Sequence, residues 1–375
     1  PEMTTPTSPL FDVEEMEINF GPQHPATHGV LRVQMRLDGE RIVSAKPIIG
    51  YLHRGTEKLF ETMAFPACIP HTDRMDYVTA ATNNQGFCVA MEKYLGVTIP
   101  PRAAYIRMIL AEMQRIASHL VWLATHAVDI GAITPFFYTF RERDAILDLF
   151  EEYCGARLTL NCMTIGGVPF DVTDDWLRRV GEFVDAFPGH IAEYEQLLTN
   201  NRIWKKRTVG IGVISAEDAI DWGLTGPPLR GSGVEWDIRK VFPYDRYDEV
   251  EFDVPIGAAG DTYDRYVIRM EEMRQSVRIV QQCVKKIPDG PFQAKTPKIL
   301  RTREGMVYAA VEAPKGELGY FIVGAEKGTE PYRCHVRPPS FVNLQTLPHM
   351  VEGGLVSDLM AVIGTLDIVL GEIDR

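Results

Sequence analysis

The sequence predicts an α+β fold: a small N-terminal antiparallel sheet, a central bundle of long helices and a C-terminal α+β segment. Three patterns carry that expectation. Residues 14–20 and 31–37 alternate in strand fashion. Ala103 to Asp129 and Thr262 to Lys286 carry apolar residues at helical spacing, and Val307 to Val311 and Tyr320 to Val323 alternate again. The expected organisation is one interlocked domain: a sheet with a loop over 1–56, a bundle over 57–290 with an irregular insertion near 207–261, and the closing segment over 291–375.

In chain order, Leu31, Val33, Met35 and Leu37 alternate before an Asp38-Gly39 turn, which pairs them with a neighbouring strand. The preceding loop, Gly21 to Gly29, is rich in turn formers and carries His24 and His28, so it is expected at a surface or lining a cavity. Ile106, Leu110, Met113, Ala117, Leu120 and Leu123 form the stripe of one long helix. Phe140 to Tyr153 reads as a second. Asp174 to Leu198 reads as two helices broken near Pro188-Gly189, because an internal proline forfeits a backbone bond. Tyr266, Met270, Met273, Val277, Val280 and Val284 line a further helix that completes a bundle. Val209 to Ile214 reads as a short strand, and 355–363 as a closing helix.

Composition narrows the function. The 375 residues, 45% hydrophobic and 24% charged, suffice for a large core. A net charge of -12 with no basic run argues against nucleic-acid binding. No segment reaches the roughly 20 apolar residues of a membrane span, which suggests a soluble, cytoplasmic chain. The six cysteines form no Cys-x-x-Cys pair and read as buried free thiols. His24 and His28 lie four apart, but on a proline-containing loop where that spacing has no ligating geometry, so no metal site is expected. Glycine pairs near 166 and 231 lack phosphate-loop or dinucleotide signatures, so the chain itself is expected to bind no NADH.

Several strings stand together: GPQHPATHGV (21–30), IGYLHRGTE (49–57), DRMDY (73–77), TPFFYTFRER (134–143), Glu312 to Tyr320 and Asp367 to Arg375. Their order and wording resemble the quinone-site subunit of respiratory complex I (NADH:quinone oxidoreductase), the bacterial D-type subunit and its mitochondrial counterpart, from about Glu14 onward. That family is similar in fold to the nickel-iron hydrogenase large subunit. The hydrogenase cysteines map onto Asp76 and Thr79, and onto Val369 and Glu372. All four thiolates are absent, so a soft nickel site is not expected.

The resemblance implies that quinone is the substrate, that Tyr77 and His28 face its headgroup, and that Asp129 is the carboxylate partner of His28. It sets Arg74 near a 4Fe-4S cluster held by the neighbouring subunit, with no cofactor bound by this chain alone. It further implies contacts with subunits B (iron-sulfur), C and H, peripheral membrane attachment on the cytoplasmic side of a bacterial inner membrane, and coupling to proton translocation. The residue types suit the chemistry. A phenol with pKa near 10 can give a proton to a reduced quinone, and an imidazole near 6.5 can donate and recharge around neutrality. Blander readings stand beside these: Tyr77 as a packed aromatic, His28 as a loop hydrogen-bonder, Asp129 as a solvated helix end contested by His126, and Arg74 as a surface ion pair. Thr159 and Leu160 stand where many members carry a histidine near the cluster. This implies a lower and less pH-dependent cluster potential, suited to menaquinone. A hydrogenase-type subunit or a non-catalytic scaffold are the alternative functions.

Overall fold

The computed structural model of the chain describes residues 15–27 and 29–375. His28 lies outside the described residues. The first sheet is β1 (Met16–Phe20), β2 (Arg32–Asp38) and β3 (Arg41–Ile48), antiparallel in that order. Val33, Met35 and Leu37 point to its buried face. Its core is shared with Ile214, Leu224, Leu229 and apolar residues from 344–373. Chain start and chain end therefore close one hydrophobic cluster between them.

The bundle is α1 (Ala80–Leu95), α2 (Pro101–Asp129), α3 (Thr134–Cys154), α4 (Asp174–Leu198) and α5 (Thr262–Lys286). Helix α2 packs along α3 and α5, and α4 packs on α3 and α5. A second antiparallel sheet, β4 (Gly305–Ala313), β5 (Gly316–Gly324) and β6 (Pro331–Arg337), lies against α1. Helix α6 (Val356–Leu366) packs on α2 and α5. None of the described helices is long and apolar enough to cross a membrane.

Helices α2 and α5 match their sequence stripes, whereas three expectations change. Asp174 to Leu198 is one continuous helix despite Pro188. Trp176, Val180, Val184, Phe187, Ile191 and Leu198 form an unbroken buried stripe, whose burial outweighs the roughly 3 kcal/mol penalty of an internal proline. Val209 to Ile214 is not a strand, because Gly210 (φ 71°) and Gly212 (φ 62°) hold the backbone in the left-handed region. Helix α3 starts six residues early, at Thr134, with Pro135 in its first turn where a missing N–H costs nothing. Strands β3 and β6 and the largely buried helix α1 were not anticipated, since α1 buries both faces and so shows no single stripe.

Five cysteines are buried and Cys154 is half-buried, all as free thiols, and burial pushes Cys68 up to about 12. Such thiols are chemically quiet.

Candidate functional site

Tyr77 lies in the turn between the helix Phe65–Thr72 and α1. That turn is held from both sides. Asp73 is buried and accepts hydrogen bonds from Asn84 Nδ2 (2.5 Å) and from the backbone N–H of Asn161 (2.9 Å). The second bond ties the loop carrying Thr159 and Leu160 to the segment of Arg74. On the other side Arg54 donates to the Arg74 carbonyl, and Gly371 packs so closely that an added Cβ would sit 2.7 Å from the Met75 carbonyl oxygen. The segments 74–79 and 369–372 thus meet in space.

At their junction lies Lys315, from the tight turn between β4 and β5. Its ammonium is 3.0 Å from Asp76 Oδ2 and 3.9 Å from Asp367 Oδ2, and it donates to Ser118 Oγ at 3.3 Å. Burial alone would depress this ammonium, but Asp367, Asp76 and Glu372 more than reverse that and raise it. Glu372 is pushed up to about 8 by burial and by the Asp76 carboxylate, against the pull of Lys315 and of the Ser340 N–H. Oxygen donors, an aliphatic Val369 and a cation in their midst do not fit a thiolate nickel centre.

Tyr77 itself is 40% exposed. Its pKa is raised by partial burial and by Asp76, with Lys315 and Arg54 opposing, so the phenol is neutral and keeps its proton near neutral pH. Arg74 is exposed beside it and donates to the Pro70 carbonyl through Nη1. This exposure excludes a core aromatic at Tyr77 and leaves its ring at the surface. Among the described residues Arg74 makes no close salt bridge, although its charge acts on the buried Asp73 next to it.

Asp129 ends α2, ten residues and about 15 Å along the axis beyond His119, which lies in electrostatic reach of Asp367. Partial burial lifts its carboxyl to about 6. His126 does not sit open to solvent: its ring stacks on Trp122, meets Trp204 edge-on, and lies where a Cβ on Gly364 would fall 2.1 Å from Nδ1. The turn Pro25–Thr27 packs against α2 and α6. His24 packs its ring tilted against Phe20, while His53 Nδ1 bonds the Asp374 carbonyl at 2.6 Å, so these imidazoles serve different partners.

The sequence reading missed Lys315, Asp367, His119 and Arg54 as members of the site. Only their positions inside quoted strings, or a histidine on a helix otherwise read as core, hinted at them. A cleft of about 440 Å³ between Lys93, Trp236, Phe242 and Tyr308 lies apart from this cluster and gathers no convergent chemistry.

Comparison with known proteins shows the family. Residues 129–304 and 299–375 match the family model described as the 49 Kd subunit of respiratory-chain NADH dehydrogenase. The second D-type subunit of NADH-quinone oxidoreductase from Solibacter usitatus is 55% identical over 370 residues, covering 99% of this chain and 100% of that protein. The D-type subunit of NADH-quinone oxidoreductase from Geotalea uraniireducens is 52% identical, covering 98% and 100%, and that of Bacillus cereus is 49% identical, covering 97% and 100%. The chain belongs to the respiratory-chain NADH dehydrogenase 49 Kd subunit family, whose members are subunits of an oxidoreductase complex.

Proposed function

We propose that this chain supplies one wall of the cavity in which a quinone headgroup is reduced, and that the other wall belongs to a neighbouring iron-sulfur subunit. One observation carries the reading. A neutral, exposed phenol, Tyr77, stands directly beside a buried carboxylate-ammonium pair, Asp76 and Lys315, on the same turn as the exposed Arg74. Quinone reduction needs proton donors where negative charge develops, and a phenol backed by fixed charges is such a donor. The names of the relatives, which pair quinone with an oxidoreductase, support the substrate class.

In this reading a 4Fe-4S cluster held by the neighbouring subunit would supply the electrons, and Arg74 would face it. As charge builds on one carbonyl oxygen, Tyr77 gives up its proton to it. His28 donates to the other oxygen, oriented by Asp129, whose raised carboxyl can itself exchange a proton near pH 6. Thr159, tethered near Arg74 through Asn161, stands where many members carry a histidine, a replacement that would give the cluster a lower, less pH-dependent potential. The partners are subunits B, C and H. The chain sits peripherally on the cytoplasmic side of the membrane and couples its chemistry to proton translocation by the membrane arm. The convergence of 74–79 with 369–372 supports a common architecture with the hydrogenase large subunit.

Tyr77→Phe tests the reading in the assembled enzyme. Quinone reduction is expected to fall roughly 100-fold or more, while electron transfer to an artificial acceptor upstream is unchanged. Full retention of quinone reduction overturns it.

A further inference from the structure

The interior beneath Tyr77 holds more polar atoms than its hydrogen bonds satisfy. Among the described residues, Asp367 Oδ2, Glu372 Oε1, His119 Nδ1, and Nε and Nη1 of Arg269 have no hydrogen-bond partner, although all four residues are buried. The gap of 3.9 Å from Lys315 Nζ to Asp367 Oδ2 is too long for a direct bond. His119 Nε2 lies 2.8 Å from Glu272 Oε2. Arg230 pulls the Glu272 carboxyl far below its usual range, against the effect of burial. Glu272 is thus a carboxylate, and the ring donates to it through Nε2–H, which leaves Nδ1 as a bare acceptor.

Left dry, each such orphan costs about 1–3 kcal/mol. Several in one polar neighbourhood point to ordered water bridging them.

We propose that this buried polar cluster is a water-bridged proton store for Tyr77, running from Asp76 and Lys315 through Asp367 to His119, with one exchangeable proton shared by Asp367 and His119 Nδ1. The proposal rests on the quinone reading. When the Tyr77 O–H bond breaks and an O–H bond forms on the quinone oxygen, a phenolate remains. Lys315 returns a proton to it through water, and the ammonium is restored by the proton held between Asp367 and His119. The store then refills from the medium, so each turn moves one proton and no electrons.

The setting of His119 suits the task. Glu272 stabilises the imidazolium from α5, while Arg269 of α5 and Arg115 of its own helix oppose it. Asp367 acts on the ring as well, and burial favours its neutral form. Burial likewise raises Asp367, against Lys315, Arg269 and His119, so the carboxyl can hold the proton that the ring gives up. Asp367, Lys315 and His119 act through Tyr77 and are positioning and relay residues.

In the assembled enzyme, Asp367→Asn and His119→Gln are expected to slow quinone reduction roughly tenfold, within the range of a lost proton-transfer step. The alkaline limb of the rate profile should move to lower pH and the solvent deuterium effect should grow, with unchanged KM for quinone and unchanged reduction of ferricyanide. Wild-type rates and pH profiles in both variants overturn the store. If Tyr77→Phe also keeps the wild-type rate, the quinone reading itself has failed instead. Should neither variant assemble, the redox-difference infrared spectrum of the unaltered enzyme decides. A buried carboxylic acid C=O band that changes on quinone reduction is expected, and its absence overturns the store.

Discussion

Helices α4 and α5 are each 25 residues long and pack on one another, yet they bury opposite chemistries. The inner face of α4 is Trp176, Leu177, Val180, Val184, Phe187, Ile191, Tyr194 and Leu198. The inner face of α5 mixes Tyr266, Met270, Met273 and Val277 with Arg265, Arg269, Glu272 and Ser276. From Glu272 a buried ion network continues through Arg230 (2.5 Å) to Glu312 (2.8 Å), and a parallel one runs from Asp237 through Arg239 to Glu112. Apolar burial stabilises a helix without specific pairing, whereas each buried ion carries a desolvation penalty of several kcal/mol that only good geometry offsets. One half of the bundle therefore contributes stability simply, and the other holds charges in place beneath Tyr77.

The largest expected effect comes from breaking the charged half. Arg230→Met leaves Glu272 and Glu312 buried without their cation and should cost about 3–5 kcal/mol in denaturant unfolding. In the apolar half, Ile191→Ala should cost about 2–4 kcal/mol, with a loss that is the same at pH 5 and pH 9.

Acid and alkali act on the charged half in opposite senses. Burial would raise Glu112, but Arg115 and Arg239 hold it down at about 2. Its contribution is complete above the ordinary carboxyl value of 4.5 and is lost as pH falls through about 2. Glu372, lifted to about 8, contributes fully below 4.5 and loses that contribution as pH rises through about 8. Glu372→Gln should therefore match the parent at pH 4 and be more stable at pH 9, by on the order of 1 kcal/mol or more, as read from thermal midpoints.

Gly371→Ala tests the junction, since its Cβ must push on the Met75 carbonyl; a cost of about 1–3 kcal/mol and slower turnover are expected. The smallest effect is on the surface. Arg178→Ala removes pairs to Asp175 and Glu182 that are open to water on both sides, and the thermal midpoint should not move.

Much of this was legible in the chain itself. The stripes of α2 and α5, the first hairpin and the strings around Tyr77 are local patterns, because a period of 3.6 or 2 and a turn residue act within a few positions. The same locality hid the charged interior. Arg265, Arg269 and Glu272 recur at helical spacing, the pattern of a solvated face, and nothing nearby in sequence marks them as buried. The continuity of α4 through Pro188 was hidden in the same way, since burial against α3 and α5 outweighs one local penalty.

By itself, then, the sequence determined the family, the main helices and Tyr77 as a candidate donor. Only the tertiary structure decided what stands behind that donor. Asp76, His119, Lys315, Asp367 and Glu372 are spread over nearly 300 residues of chain and become neighbours when the end of the chain closes onto the turn after Thr72. Electrostatic coupling depends on distance in space and on exclusion of water, and neither is written in the order of the residues.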